Sequence, residues 1–194
     1  MTSTTTPPVR SPFRRLAGTA IVIAASIGLI APLVGGATSA SAVETAAPNA
    51  VDVVLQATEP FVVTDASGTS TFDVDAATQA GASPETLLAG EAFNDMVSIR
   101  SANQASDGAR VAAGFPVWGN WCGPGHGGGT AVDTLDRLCE RHDKCYGDRG
   151  YFSCACDAQL KAEIDRFSGQ MKANERAVAA AIKLVFSTGV CNPF

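Results

Sequence analysis

From about residue 80 onward, apolar positions recur at three- and four-residue intervals, the spacing of helices with one buried face. Leu87, Leu88, Phe93 and Met96 give such a face to a helix over residues 84–98. A start signal follows at Thr130, read as an N-cap with Asp133 as the acid three positions on. The helix it opens is predicted to run to about Tyr146 and to end in the turn Gly147-Asp148-Arg149-Gly150. Asp157, Leu160, Ile164 and Phe167 mark the face of a second helix over 153–167, and a third covers 173–186, closing before Gly189. Strand character is confined to residues 52–55 and 61–64, with Gly68 breaking any longer pattern.

Winding residues 130–146 at 3.6 residues per turn sorts their side chains. Leu135, Leu138, Cys139, His142, Cys145 and Tyr146 fall on one stripe, with Arg137, Arg141 and Lys144 opposite. A histidine therefore lies on the buried face, and Asp143 is one turn from Cys139. The connection from 147 to 152 is short, so the next helix must double back antiparallel.

Residues 1–42 read as an export signal. Arg10, Arg14 and Arg15 precede an apolar run from about Ala20 to Val34, and Ala40-Ser41-Ala42 fits the small-x-small cleavage rule. A membrane anchor is the competing reading, disfavoured by Gly28, Pro32, Gly35 and Gly36 inside the run. A secreted protein is expected. All six cysteines lie between Cys122 and Cys191, an even number that suits three disulfides in an exported chain. Six cysteines allow 15 pairings, and the spacing does not choose among them.

Charge divides the rest of the chain. Residues 43–108 contain no cysteine and carry acids from Glu44 to Asp107 against the lone base Arg100, whereas 109–194 is nearly balanced. The net charge of −5 therefore belongs to the middle segment. The expected organisation is a signal over 1–42, an acidic segment over 43–108 that is a possible propeptide, and a catalytic domain over 109–194. No nucleic-acid partner is expected, and a monomer is expected.

The chemistry concentrates between Trp121 and Tyr146. Glycines in Trp121-Cys122-Gly123-Pro124-Gly125 let backbone carbonyls turn towards one point, and a carboxylate completes such an oxygen cage for calcium. His142 beside Asp143 is a candidate general base. The WCGPG loop followed by Cys139-Glu140-Arg141-His142-Asp143-Lys144-Cys145-Tyr146 closely resembles the calcium loop and catalytic helix of the secreted phospholipase A2 family. Cys156-Asp157 resembles the Cys-Asp pair of that family's second long helix. The likeness covers roughly residues 115–157.

The resemblance implies a small all-α, disulfide-stapled domain in which two antiparallel helices carry the dyad beside a calcium loop. It implies Ca2+ held by the carbonyls of Trp121, Gly123 and Gly125 and by the carboxylate of Asp143. Asp157 would orient His142, with Tyr146 hydrogen-bonding Asp157. His142 would activate the water that attacks the sn-2 ester of a phospholipid at a membrane or micelle interface, with the N–H of Gly123 assisting at the oxyanion. It also implies disulfides Cys122–Cys139 and Cys145–Cys156, leaving Cys154 and Cys191 to each other.

Departures from the family pattern are specific. Leu138-Cys139 stands where many relatives have two consecutive cysteines, and Glu163 stands where the second partner would be. The hairpin-sized insertion between the helices is missing, and the stretch His126–Gly129 has one extra residue. Two other functions remain open: a catalytically inactive phospholipase-like binding protein or toxin, and a zinc module on Cys139, His142, Cys145 and Cys156. His126 reads as a solvated loop residue. Arg137, Arg141 and Lys144 read as a solvated face, with lipid headgroups as the alternative. Phe115, Val117, Trp118 and Trp121 are either an interfacial rim or core. The segment 43–108 is either removed after export or retained, with the 84–98 helix in the place of the family's N-terminal helix.

Overall fold

The computed structural model describes residues 47–105, 115–188 and 191. The export signal and the junction at 108/109 lie outside the described residues. Asn49 opens helix α1 (Ala50–Thr58) by accepting the amides of Val51 and Asp52. Strand character had been expected over 52–55, but Val51, Val54 and Thr58 fall at i, i+3 and i+7 and are buried, while Val53 is exposed. Burial of that stripe outweighs the strand preference of the valines. A 3-10 turn at Glu59–Phe61 leads into β1 (Val62–Thr64), which agrees with the strand expected over 61–64. It pairs antiparallel with β2 (Ser70–Phe72) in the register Val62–Phe72 and Thr64–Ser70, with Gly68 at φ 85° in the connection.

Two more helices complete the amino-terminal part: α2 (Val74–Gln79) and α3 (Pro84–Ala105). The latter runs well past the residue-98 limit expected from its pattern. Helix α4 (Thr134–Arg149) starts four residues after the expected cap. Asp133 is its N-cap and accepts the amide of Asp136, and Gly150, at φ 91°, ends it. Helix α5 (Cys154–Phe167) and helix α6 (Ala173–Ser187) match the predicted spans to within a residue.

Helix α6 is the axis of the fold. Residues 177–185 are buried without interruption, so the helix needs cover all round. The broadest covers are α3 and α1, and α4 pairs with α5. One hydrophobic cluster joins Val51, Val54 and Phe93 to Leu135, Leu160, Ile164 and Ile182. All six cysteines are paired, as Cys122–Cys139, Cys145–Cys156 and Cys154–Cys191. The fold is therefore the expected helical, disulfide-stapled one, with a small hairpin added.

Candidate active site

The antiparallel pair α4–α5 is held near its turn by Cys145–Cys156, which sets His142 opposite Asp157. His142 Nε2 lies 2.9 Å from Asp157 Oδ1, with both side chains nearly inaccessible. The tautomer that satisfies this contact carries its proton on Nε2. Nδ1 is left with a lone pair and no hydrogen-bond partner among the described residues. Tyr146 also donates its hydroxyl to Asp157 Oδ1. Burial, and then the hydrogen bond to Asp157, push the phenol's pKa upward, so it stays protonated and keeps donating. Asp157 Oδ2 is buried without a partner among the described residues. The imidazole is walled by the rings of Tyr146 at 4.2 Å and Phe186 at 5.2 Å.

Asp143, the next residue after His142, makes no hydrogen bond or ion pair among the described residues. Burial pushes its pKa up to about 6 against the opposing pull of His142 and His126. The glycine loop lies against it: a Cβ on Gly127 would stand 3.1 Å from Asp143 Oδ2 and 3.0 Å from the Trp121 ring. Gly123 has φ 147°, and a Cβ there would stand 1.9 Å from the Phe115 carbonyl, so no other residue fits. Within the loop, the carbonyls of Trp121 and Gly125 accept no hydrogen bond from described residues. That of Gly123 accepts one, from His126 N–H at 3.1 Å. One desolvated carboxylate, unpaired among the described residues, against a loop whose Trp121 and Gly125 carbonyls accept no hydrogen bond from described residues, has the chemistry of a donor set for a hard divalent cation such as calcium.

Among the other expectations, three of the four rim residues, Val117, Trp118 and Trp121, border the hydrophobic core, while Phe115 is exposed. Trp118 Nε1 donates to Asp133. Arg141 pairs with Glu163 at 3.0 Å and Lys144 with Glu140 at 2.7 Å, while Arg137 is exposed. His126 Nε2 sits 3.4 Å from the Gly119 carbonyl. With Cys139, Cys145 and Cys156 all in disulfides, no thiolate remains for the zinc alternative.

Two buried acids escaped sequence reasoning. Glu175 accepts the amide of Lys172 at the start of α6 and that of Leu135 in α4. Asp136 is fully buried and gathers loop amides. The readable signal was its place on the flank of the apolar stripe of α4, one turn before Cys139, because a carboxylate buried there must be satisfied by something nearby.

By fold and site this is a small, disulfide-stapled, all-α protein with a buried histidine–aspartate pair on two facing helices. Comparison with curated proteins finds partial relatives bearing phospholipase A2 names. Over 63 residues the chain is 38% identical to the acidic phospholipase A2 homolog taipoxin gamma chain of Oxyuranus scutellatus scutellatus, covering 30% of this chain and 41% of that protein. Over 41 residues it is 51% identical to a basic phospholipase A2 of Micrurus mipartitus, covering 21% and 34%. The chain thus spans less than half the length of these relatives and is phospholipase A2-like over that part. No family model and no solved structure matches it.

Proposed function

We propose that the protein is a secreted, calcium-dependent phospholipase A2 that hydrolyses the sn-2 ester of glycerophospholipids. The observation that carries this reading is the His142–Asp157 pair beside Asp143, whose carboxylate is unpaired among the described residues and lies against the glycine loop. Asp157, itself held by the Tyr146 hydroxyl, fixes the orientation of the imidazole through Nε2, so that Nδ1 accepts a proton from the attacking water. The resulting imidazolium is stabilised by Asp157 and returns the proton to the leaving alkoxide. The N–H of Gly123 donates to no described backbone acceptor and is available to the oxyanion. Trp121, Gly123, Gly125 and Asp143 would hold Ca2+, which when bound polarises the ester carbonyl and neutralises charge developing on its oxygen.

The lipid-facing side is assigned to the α4–α5 turn. Tyr151 and Phe152 are 68% and 51% exposed, and their rings lie 5.6 Å and 6.4 Å from that of Tyr146, next to the dyad. Exposed aromatics of this kind suit the headgroup region of a bilayer.

The deciding experiment is hydrolysis of a phospholipid with distinguishable acyl chains, with and without excess chelator. Release of the sn-2 chain only in the presence of calcium is expected, and His142→Gln should lower the rate by about 10²–10⁴-fold with calcium binding retained. Binding to lipid without any release would establish the inactive, binding-protein alternative.

A further inference from the structure

The fully buried Asp136 forms no ion pair among the described residues; its partners are backbone amides. Asn120 N–H lies 3.0 Å from both of its oxygens, Trp121 N–H lies 2.7 Å from Oδ1, and Val132 N–H lies 2.9 Å from Oδ2. Amides from the two ends of the glycine loop therefore meet on one carboxylate, fixed in the first turn of α4. Gly119, at φ 57°, permits the approach: a Cβ there would stand 2.4 Å from the Asp136 carboxyl carbon. The seven residues from Asp136 to Asp143 are two helical turns, so the two acids share a face of α4 about 10 Å apart along its axis. Between them the Cys122–Cys139 disulfide ties the loop to the same helix. At the far end, Gly127 and the Trp121 ring come up against Asp143.

We propose that Asp136 is a positioning residue that sets the loop's carbonyls against Asp143, so that cation affinity depends on a carboxylate that never touches the cation. The proposal rests on the reading of loop and Asp143 as a calcium site. Asp136→Asn keeps the size and shape but turns one acceptor oxygen into an NH2 donor. Whichever oxygen is replaced, an amide N–H of Asn120 and one of Trp121 or Val132 then faces a donor. One anchor of the loop is lost while the disulfide and the His142–Asp157 contact remain.

The test uses terbium as a calcium-sized probe, with emission sensitised by Trp121, alongside calcium-dependent hydrolysis. Asp136→Asn is expected to raise the half-saturating terbium concentration about tenfold or more, the scale of one lost hydrogen bond to a charged group. The rate at saturating calcium should stay within about threefold of wild type, because the dyad is untouched. Should Asp136→Asn fail to fold, Asp136→Glu keeps the charge but displaces the anchor, and a weakening of terbium binding in the same direction is expected. Unchanged terbium affinity in a folded variant overturns the proposal, as does an equal loss of rate at low and saturating calcium. A wild-type protein that binds no terbium and needs no calcium overturns the calcium reading itself. Wild-type binding matched by the variant overturns only the role of Asp136.

Discussion

Helices α1 and α3 and the pair α4–α5 all bear on α6, yet the two sides are held by different forces. Residues 47–105 have no cysteine and contribute mainly apolar surface: Val51, Val54, Ala89 and Phe93 lie on the common core. Their acids serve at the edges. Asp52 reaches Lys183 and Glu85 reaches Arg176, both on α6, while Asn49 donates to Asp165 on α5. Residues 115–191 hold all three disulfides and bury three carboxylates: Asp136 on amides, Asp157 on an imidazole and a phenol, and Glu175 on the starts of two helices. Buried charge is costly even when satisfied. Covalent links, which restrict the unfolded chain, suit the side that carries it. The acidic segment thus supplies apolar cover and edge contacts, while the stapled side carries the candidate chemistry.

The comparison breaks most directly by separation. We expect a protein lacking residues 47–105 to lose cooperative folding, because α6 would expose its apolar face and Lys183 would lose Asp52. Near-ultraviolet circular dichroism and a thermal melt check this. A stable, active truncation would show the acidic segment to be a removable propeptide, and a mature terminus between about Ser101 and Val117 would agree with it.

Removing the staple is the next largest effect. Replacing Cys122 and Cys139 by alanine should cost about 2–5 kcal/mol in denaturant unfolding and weaken calcium binding, since the loop is tied there. A smaller loss is expected at the edge contacts. Burial pulls the Lys183 pKa down, but Asp165 and Asp52 more than offset it and the net shift is upward. Lys183→Ala should cost about 1–3 kcal/mol, with the dyad's rate preserved in the folded fraction. Urea unfolding followed by rate measurement tests both parts.

The smallest effect sharpens the contrast by pH. Asp143 has its pKa raised to about 6 by burial, so its neutral form favours the folded state. That contribution is fully present below the unfolded value of about 4 and is lost as pH rises through about 6. In chelator, the melting temperature of wild type relative to Asp143→Asn should fall across this window as pH rises. A difference that is flat with pH would show the carboxylate to be solvated.

Much of the site was legible because its parts are local. The loop glycines, the His142-Asp143 doublet and Cys156-Asp157 lie on short, regular stretches, and helix periodicity set His142 on the buried face. The disulfides were implied by family likeness, and the structure contains the same three pairs. Less was readable where burial overrode local preference: the valines of α1 are helical, and the α4 cap is Asp133, three residues beyond Thr130.

The sequence by itself determined the helical spans of α5 and α6, the stripe of α4 and the identity of the groups capable of chemistry, because these depend on spacing within a few turns. Only the tertiary structure decided that the acidic segment shares a core with α6, that Asp136 takes amides from both ends of the glycine loop, and that Asp143 is left desolvated and unpaired among the described residues. Each depends on groups from separate elements meeting in space. Their burial is a property of the assembled fold, and no local pattern encodes it.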